Sequence, residues 1–261
     1  MPPLRGTWKF CLRQICASRR FLGIVCISQG LACEVRSLLG KDISILVAHD
    51  GADAQHTPSE QSPSEKERTE HLNVGYVGSL YEGRGIDFIF QLAATLPAMS
   101  FFLVGGSPEE VARWQKEAPE NVHFRGFVPQ YDLPDTYSNF DIMLAPYAGH
   151  VAVAADHKGG SSHSTAGYMS PLKIFEYMSY GKPFIASAMP AIEEITGPGA
   201  TCCLLRPYGD VNAWRDALTQ LSEDPALRQR LAEASRSKFL HEYTWTKRAE
   251  KISQLWAKRL E

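Results

Sequence analysis

Several features are missing from this 261-residue chain, and each absence removes a class of protein. Neither charge is in excess: 27 lysines and arginines stand against 29 aspartates and glutamates, a formal net charge of -2. A nucleic-acid-binding domain would carry a basic surplus, so nucleic acid is excluded as a partner and a small molecule is favoured. No apolar run reaches the roughly 20 residues that a membrane-spanning helix needs. The longest near the start, Phe21–Ser28, is too short and wrongly flanked for a signal peptide. The cysteines (Cys11, Cys16, Cys26, Cys33, Cys202 and Cys203) form no CxxC pair and have no histidine at zinc-ligand spacing. Lying in apolar runs, they predict reduced thiols in a soluble, cytoplasmic protein. There is no internal repeat.

What is present is an ordinary globular composition, 44% hydrophobic and 21% charged, enough for one large core and part of a second. The first 33 residues hold Arg5, Lys9, Arg13, Arg19 and Arg20 without an acid, while Trp8, Cys11, Leu12 and Ile15 recur at helical spacing. Such a basic amphipathic helix fits an exposed domain helix, with peripheral contact to an anionic inner membrane face or a transit-like segment as the alternatives.

Phe21–Ser28 and Ile43–Ala48 are short β-rich runs on either side of a helical stretch, Leu31–Leu39, and predict a βαβ remnant of an N-terminal domain within residues 1–54. Residues 55–70, with TPSEQSPSEKERTE, are polar and aperiodic, which is a linker composition. From residue 71 to about 245 continuous apolar strands alternate with amphipathic helices. The strands begin at Asn73, Ser100, Asn121, Asp141, Lys182 and Thr201; the helices include Ile86–Leu96, Pro108–Glu117, Leu133–Phe140 and Pro171–Tyr180. That alternation predicts an α/β domain with a doubly wound parallel sheet covered on both faces. Ligands of such sheets bind beyond the carboxyl ends of the strands, so the loops after each strand are the ones to read.

Two of these loops carry motifs. In VGSLYEGRGID, a strand runs through Gly78 and Ser79 into a Gly-rich turn holding Arg84 and then into a helix. Glycines admit an anion to the backbone, the helix N-terminus adds partial positive charge, and Arg84 offers a bidentate cation, so the turn is a candidate phosphate site; an ordinary turn with a solvated arginine is the plainer reading. In SPLKIFEYMSYGKPFIAS, Ser170 is a good N-cap and Pro171 a good first helical residue. Helical spacing puts Leu172, Ile174, Phe175 and Met178 on one face and Lys173, Glu176, Tyr177 and Tyr180 on the other. Lys173 and Glu176 form either a surface i, i+3 bridge or a pair in which the lysine meets a phosphate and the carboxylate holds a diol such as ribose.

From about residue 20 to the end, the ordered series VGSL–GRG, LVGG, NVHFRGFV, DIMLAPY, SPLKIFEYMSYGKPFIAS, the DPALRQRL helix and YTWTKRA resembles the family 4 glycosyltransferases of the GT-B fold, in particular a subset with the SPLK sequence. HDGAD at 49–53 is similar to the exit of that family's N-terminal, acceptor-binding domain, and the last residues, 246–261, to its final crossover helix. The resemblance implies a Rossmann-like C-terminal half that binds a nucleotide-sugar donor, a UDP-sugar or GDP-sugar, with no cofactor and no metal. It assigns the donor diphosphate to Arg84, the base pocket to backbone near Val128, the ribose hydroxyls to Glu176, and phosphate and sugar to the amides of Ser170, Leu172 and Lys173. Two positions depart from the family pattern: a frequent arginine is Ser79 here, and the first of two paired glutamates is Tyr168. Lys173 is the expected replacement for the lost cation, and donor-sugar contacts at Tyr168 are expected to differ.

Loop Ala148–Tyr168 carries His150, Asp156, His157 and His163 among small residues, at spacings that fit no familiar metal set; a lid over the donor sugar is the favoured reading. Glu193 and Glu194 are expected chiefly to complement their own helix dipole, with Glu194 a minor candidate at the cleft. Cys202 and Cys203 are expected in strand core. The resemblance implies retaining transfer of a sugar to a glycan, lipid or small-molecule acceptor, with Arg84 and Lys173 expected to stabilise the leaving diphosphate. The rival is a non-catalytic nucleotide-sugar-binding module, or one part of a split enzyme whose acceptor domain is a separate polypeptide. An epimerase of the same fold is a third, less favoured reading.

Overall fold

The computed structural model describes residues 7–40, 42–55, 72–81, 83–151, 164–197 and 202–260. The linker stretch 56–70 and the loop residues Asp156, His157 and His163 therefore lie outside the described residues.

The chain opens with helix α1 (Thr7–Cys16), then β1 (Ile24–Cys26), α2 (Gln29–Leu39) and β2 (Ile45–Val47). β1 and β2 pair in parallel with Ile24 opposite Ile45, the expected βαβ unit. Ser28 fixes the start of α2, its Oγ accepting from the Leu31 N–H at 3.1 Å, one of the donors a helix N-terminus leaves open.

The large unit runs β3 (Asn73–Val77), α3 (Ile86–Ala94), β4 (Ser100–Val104), α4 (Pro108–Trp114), β5 (Val122–Gly126), α5 (Leu133–Ser138), β6 (Ile142–Ala145), α6 (Leu172–Ser179), β7 (Phe184–Ser187), α7 (Pro190–Thr196), β8 (Leu204–Arg206), α8 (Val211–Glu223), α9 (Pro225–Glu242) and α10 (Trp245–Leu260). Its six strands are all parallel, in the order β5-β4-β3-β6-β7-β8. Every residue of β6 and β7 is buried, so these strands read as unbroken apolar runs rather than as alternation. Side chains of one strand leave on opposite faces, and β3 shows the result. Val74 and Tyr76 join a core with residues of α3 and α8, while Val77 joins the opposite core with residues of α6 and α7. Cys202 and Cys203 are buried as expected but precede β8, which begins at Leu204.

The βαβ unit is fastened to the large unit by polar contacts. Glu194 of α7 accepts the Gln29 N–H, at 2.8 and 3.0 Å to its two oxygens, and lies 3.2 Å from His49 Nε2. Ser28 Oγ donates to the Tyr168 carbonyl at 2.8 Å, and Ala52 N–H donates to the Tyr243 carbonyl at 3.2 Å. Arg248 of α10 bonds the carbonyls of Ala48 and His49 and stands 3.3 Å from Asp50. Glu194 thus complements the N-terminus of α2 rather than that of its own helix, which corrects the expectation from sequence. Glu194→Ala leaves Gln29 N–H and His49 Nε2 without this acceptor. It should lower unfolding free energy by about 1.5–3 kcal/mol, the usual cost of losing a charged hydrogen-bond partner. Urea unfolding, with amide exchange followed at Gln29, checks this; an unchanged midpoint and unchanged exchange would show that the contact holds nothing.

Candidate functional site

In the sheet order β4-β3-β6, the chain leaves β3 toward β4 on one side and returns with β6 on the other. A crevice opens above such a reversal of strand order, where no crossover helix covers the carboxyl ends. Three segments meet there: the turn after β3, the loop after β6, and the start of α6. The turn needs its glycines. Gly85 caps α3 at φ 80, and a Cβ there would stand 2.0 Å from the Pro146 carbonyl oxygen. At Gly78 a Cβ would stand 3.2 Å from both Cε and Nζ of Lys173, so glycine at this position leaves room for the lysine. The Gly78 N–H itself is spent on the Val104 carbonyl at 2.9 Å, so this amide is committed to the sheet.

Lys173 is the centre of the arrangement. It is 7% exposed, and its Nζ lies 3.7 Å from the ring centre of Tyr76 and 4.9 Å from that of Tyr147. Nζ has no hydrogen-bond partner among the described residues. Burial, followed by the Arg84 charge, pushes its pKa well below the ordinary lysine value, with Glu176 pulling the other way. Arg84 lies across the same tyrosine, its guanidinium carbon 5.4 Å from the Tyr147 ring, and its Nε is also buried without a partner. The Tyr147 phenol is raised to about 12, chiefly by burial and against the opposing pull of Arg84. Two cations thus face one crevice, with donors at Lys173 Nζ and Arg84 Nε that no oxygen among the described residues satisfies. Such donors are costly to bury unless an anion completes them.

The helix faces differ from those inferred from sequence. Lys173 and Tyr177 are buried, whereas Leu172, placed on the apolar face, is 51% exposed. The surface bridge between Lys173 and Glu176 does not form. Tyr177 is spoken for inside the sheet, donating from its hydroxyl to the Leu144 carbonyl at 3.0 Å. Only the long apolar stem of a lysine makes its burial here tolerable. Pro171, not Ser170, is the N-cap of α6, and no side chain caps that end; the Ser170 hydroxyl instead accepts the Asp50 N–H at 3.3 Å.

Glu176 sits one turn deeper, partly buried, and accepts a hydrogen bond from the Tyr137 hydroxyl at 3.2 Å. Burial raises its carboxyl above the usual range, while Tyr137 and Lys173 oppose the rise. The Tyr137 ring is fully buried and stacks on Tyr180 with centroids 4.1 Å apart.

Arg84 and Lys173 are therefore brought together around Tyr147, with Gly78 against the end of the Lys173 side chain. The Ser79 carbonyl accepts the Tyr76 hydroxyl at 2.7 Å. Val128 is partly buried against the core, in the loop after β5, beside the exposed Phe127 and Tyr131. Tyr168 turns its carbonyl to the βαβ unit. Tyr76 and Tyr147 stand at or just past the ends of otherwise apolar strands, a usable sequence signal, whereas Tyr137 lies within α5 and carries no such mark. Ser187, at the carboxyl end of β7, has a buried hydroxyl without a partner among the described residues, and nothing in its sequence context marks it. A cleft of about 470 Å³ opens beside the same turn, between Tyr81, Asp87, Arg113, Trp114 and Tyr208, and is lined by neither Lys173 nor Glu176. Among the described residues no three His, Cys, Asp or Glu side chains are grouped to hold a metal, and no helix is long and apolar enough to cross a membrane.

Known structures share this arrangement of elements. The chain is similar to sucrose-phosphate synthase from Thermosynechococcus elongatus, with TM-score 0.73 at 20% identity over 97% of this chain and 61% of that one. It is similar to HepE from Anabaena in complex with UDP-glucose, with TM-score 0.71 at 18% identity over 98% and 70%. A glycosyltransferase from Rickettsia africae gives TM-score 0.75 at 12% identity over 100% and 68%. By sequence, it is 26% identical over 145 residues to an uncharacterized 41.2 kDa protein of the cps region of Klebsiella pneumoniae, spanning 55% of this chain but about a third, 35%, of that relative. The fold is thus that of the GT-B glycosyltransferases, and with the sequence model of the glycosyl transferase-like family matching residues 84–254, the chain belongs to that family.

Proposed function

We propose that this chain grips the diphosphate of a nucleoside diphosphate sugar in the crevice between β3 and β6, and that the complete enzyme transfers the sugar with retention at the anomeric carbon. The observation that carries the reading is the pair of buried, unsatisfied cationic donors, Lys173 Nζ and Arg84 Nε, at the strand-order reversal. As the bond from the anomeric carbon to the diphosphate breaks, negative charge grows on the leaving oxygen. Fixed cations in a dry crevice stabilise that charge more than they stabilise the ground state. Glu176 then takes the ribose hydroxyls, the loop at Val128 takes the base, and the open N-terminus of α6 at Leu172 and Lys173 faces phosphate and sugar. On this reading Arg84 and Lys173 neutralise the leaving group, and no side chain serves as a covalent nucleophile. Membership of family 4 and of its SPLK subset, a UDP-sugar or GDP-sugar donor, and a glycan, lipid or small-molecule acceptor are parts of the same proposal.

A second reading has its own support: among the described residues β1 and β2 make a two-stranded sheet, and two strands alone do not form a stable domain. On that reading the chain is a donor-binding module or one part of a split enzyme. Calorimetric titration with UDP-, GDP- and ADP-sugars tests both. One of the three should bind, and a nucleoside without phosphates should bind far more weakly. Binding with slow hydrolysis of the donor favours the enzyme, binding without turnover favours the module, and no binding by any of the three overturns the donor reading.

A further inference from the structure

Glu176 reaches the crevice from the middle of α6, and a free carboxylate on a helix would turn about its terminal torsion. Here it does not hang free. The Tyr137 hydroxyl donates to Oε2 from a ring that is fully buried and stacked at 19° on Tyr180, so the donor has no freedom of its own. α5 supplies the tyrosine and α6 supplies both the carboxylate and the stacking partner. Nothing in packing alone requires the hydroxyl, since phenylalanine would fill the same space.

The geometry points to Tyr137 as a positioning residue that fixes the Glu176 carboxylate, leaving Oε1 aimed for the ribose diol and so giving the site its preference for ribonucleotides over 2′-deoxyribonucleotides. This inference rests on the donor reading above. A carboxylate anchored at one oxygen can meet two neighbouring hydroxyls with the other oxygen and the remaining lone pair, at little entropic cost on binding. Unanchored, it would meet either hydroxyl in several orientations and discriminate poorly. The charged and titratable groups around Glu176 are Tyr137 from α5, Lys173, Tyr177 and Tyr180 from α6, and Tyr147 after β6.

The test compares Kd for UDP, GDP and ADP with Kd for the 2′-deoxy form of whichever binds tightest, in the unaltered chain and in Tyr137→Phe. The unaltered chain should prefer the ribonucleotide by about tenfold, and Tyr137→Phe should reduce that ratio about fivefold, toward one. The affinity gained from the diphosphate, read as nucleotide against nucleoside, should not move. In Tyr137→Phe the acid-side loss of binding, read with the matching nucleotide-sugar so that no terminal phosphate titrates, should also move to higher pH, because a donor that holds Glu176 ionised is gone. A simply structural role for Tyr137 would weaken both nucleotides equally and leave the pH midpoint in place. A double-mutant comparison guards against trivial damage: in a Glu176→Ala background, Tyr137→Phe should leave the ratio unchanged. A ratio kept in Tyr137→Phe, or lost again in that background, overturns the inference. If the unaltered chain binds a ribonucleotide with no preference over its deoxy form, the donor reading stands and this inference falls. If it binds none of the three, the donor reading itself falls.

Discussion

Lys173→Met should abolish most diphosphate binding and at the same time make the fold more stable. The two effects have one cause. An ammonium that is 7% exposed and without an acceptor among the described residues has lost its water and gained the faces of Tyr76 and Tyr147 in return. Methionine keeps the volume and the apolar stem contacts and removes the buried charge, a change that should gain on the order of 1–3 kcal/mol. For a domain of this size that corresponds to about 2–4 °C of melting temperature per kcal/mol. Binding should move the other way, since a charged hydrogen bond to phosphate contributes about 1.5–3 kcal/mol, a loss of roughly 10- to 150-fold in affinity.

The dependence on pH supplies a check of sign. The folded-state pKa of Lys173 is depressed, so its cost is largest at low pH, where the lysine is charged in both states. That cost fades as pH rises from the folded-state value to the unfolded-state value. Stability of the unaltered chain should therefore climb between those two values, and that climb should be missing from Lys173→Met. Thermal unfolding across pH and titration with a UDP-sugar measure both halves. A variant that melts lower and binds as before would show a lysine that merely braces two tyrosines.

The legible part of the fold was the part written in local pattern. Strands such as residues 142–145 and 184–187 are apolar throughout because both faces of the sheet are covered, and the helices between them were found within a few residues. The βαβ unit at residues 24–47 was legible for the same reason. What escaped depended on distant residues. Glu194 meets Gln29 across 165 residues, and Tyr137 meets Glu176 across 39, so neither partnership leaves a mark in spacing. The polar stripe drawn through Lys173, Glu176 and Tyr177 failed for a further reason: helical periodicity sorts residues by class, and this helix is buried on nearly every side. A lysine and a tyrosine that the stripe assigns to the surface are buried, the lysine beside the crevice and the tyrosine against the sheet. Arg84 and Lys173 stand out in their motifs, but their convergence on Tyr147 is visible only once the sheet order brings the motifs together.

Donor affinity should follow a bell in pH that is narrower than ordinary side chains would give. The binding state requires Glu176 as a carboxylate and Lys173 as an ammonium, and burial works against both. It raises the glutamate above the usual carboxylate range and lowers the lysine well below its usual value, so the two limbs move toward each other. As pH falls through the raised Glu176 pKa, the protonated carboxyl loses an acceptor for the ribose, and affinity should drop by up to tenfold per pH unit. As pH rises through the depressed Lys173 pKa, a neutral amine no longer balances the diphosphate, and affinity should drop again at the same limiting slope. A nucleotide-sugar is the right probe, because its diphosphate is esterified at both ends and carries no titrating terminal phosphate between the limbs. Glu176→Gln should weaken binding and flatten the acid limb alone; Lys173→Met should flatten the alkaline limb alone. A bell that persists unchanged in both variants would place the titrating groups elsewhere. A flat profile in the unaltered chain would mean that neither residue touches the donor. Either result would leave the convergence of Arg84 and Lys173 on Tyr147 as packing, and the crevice above β3 and β6 without its anion.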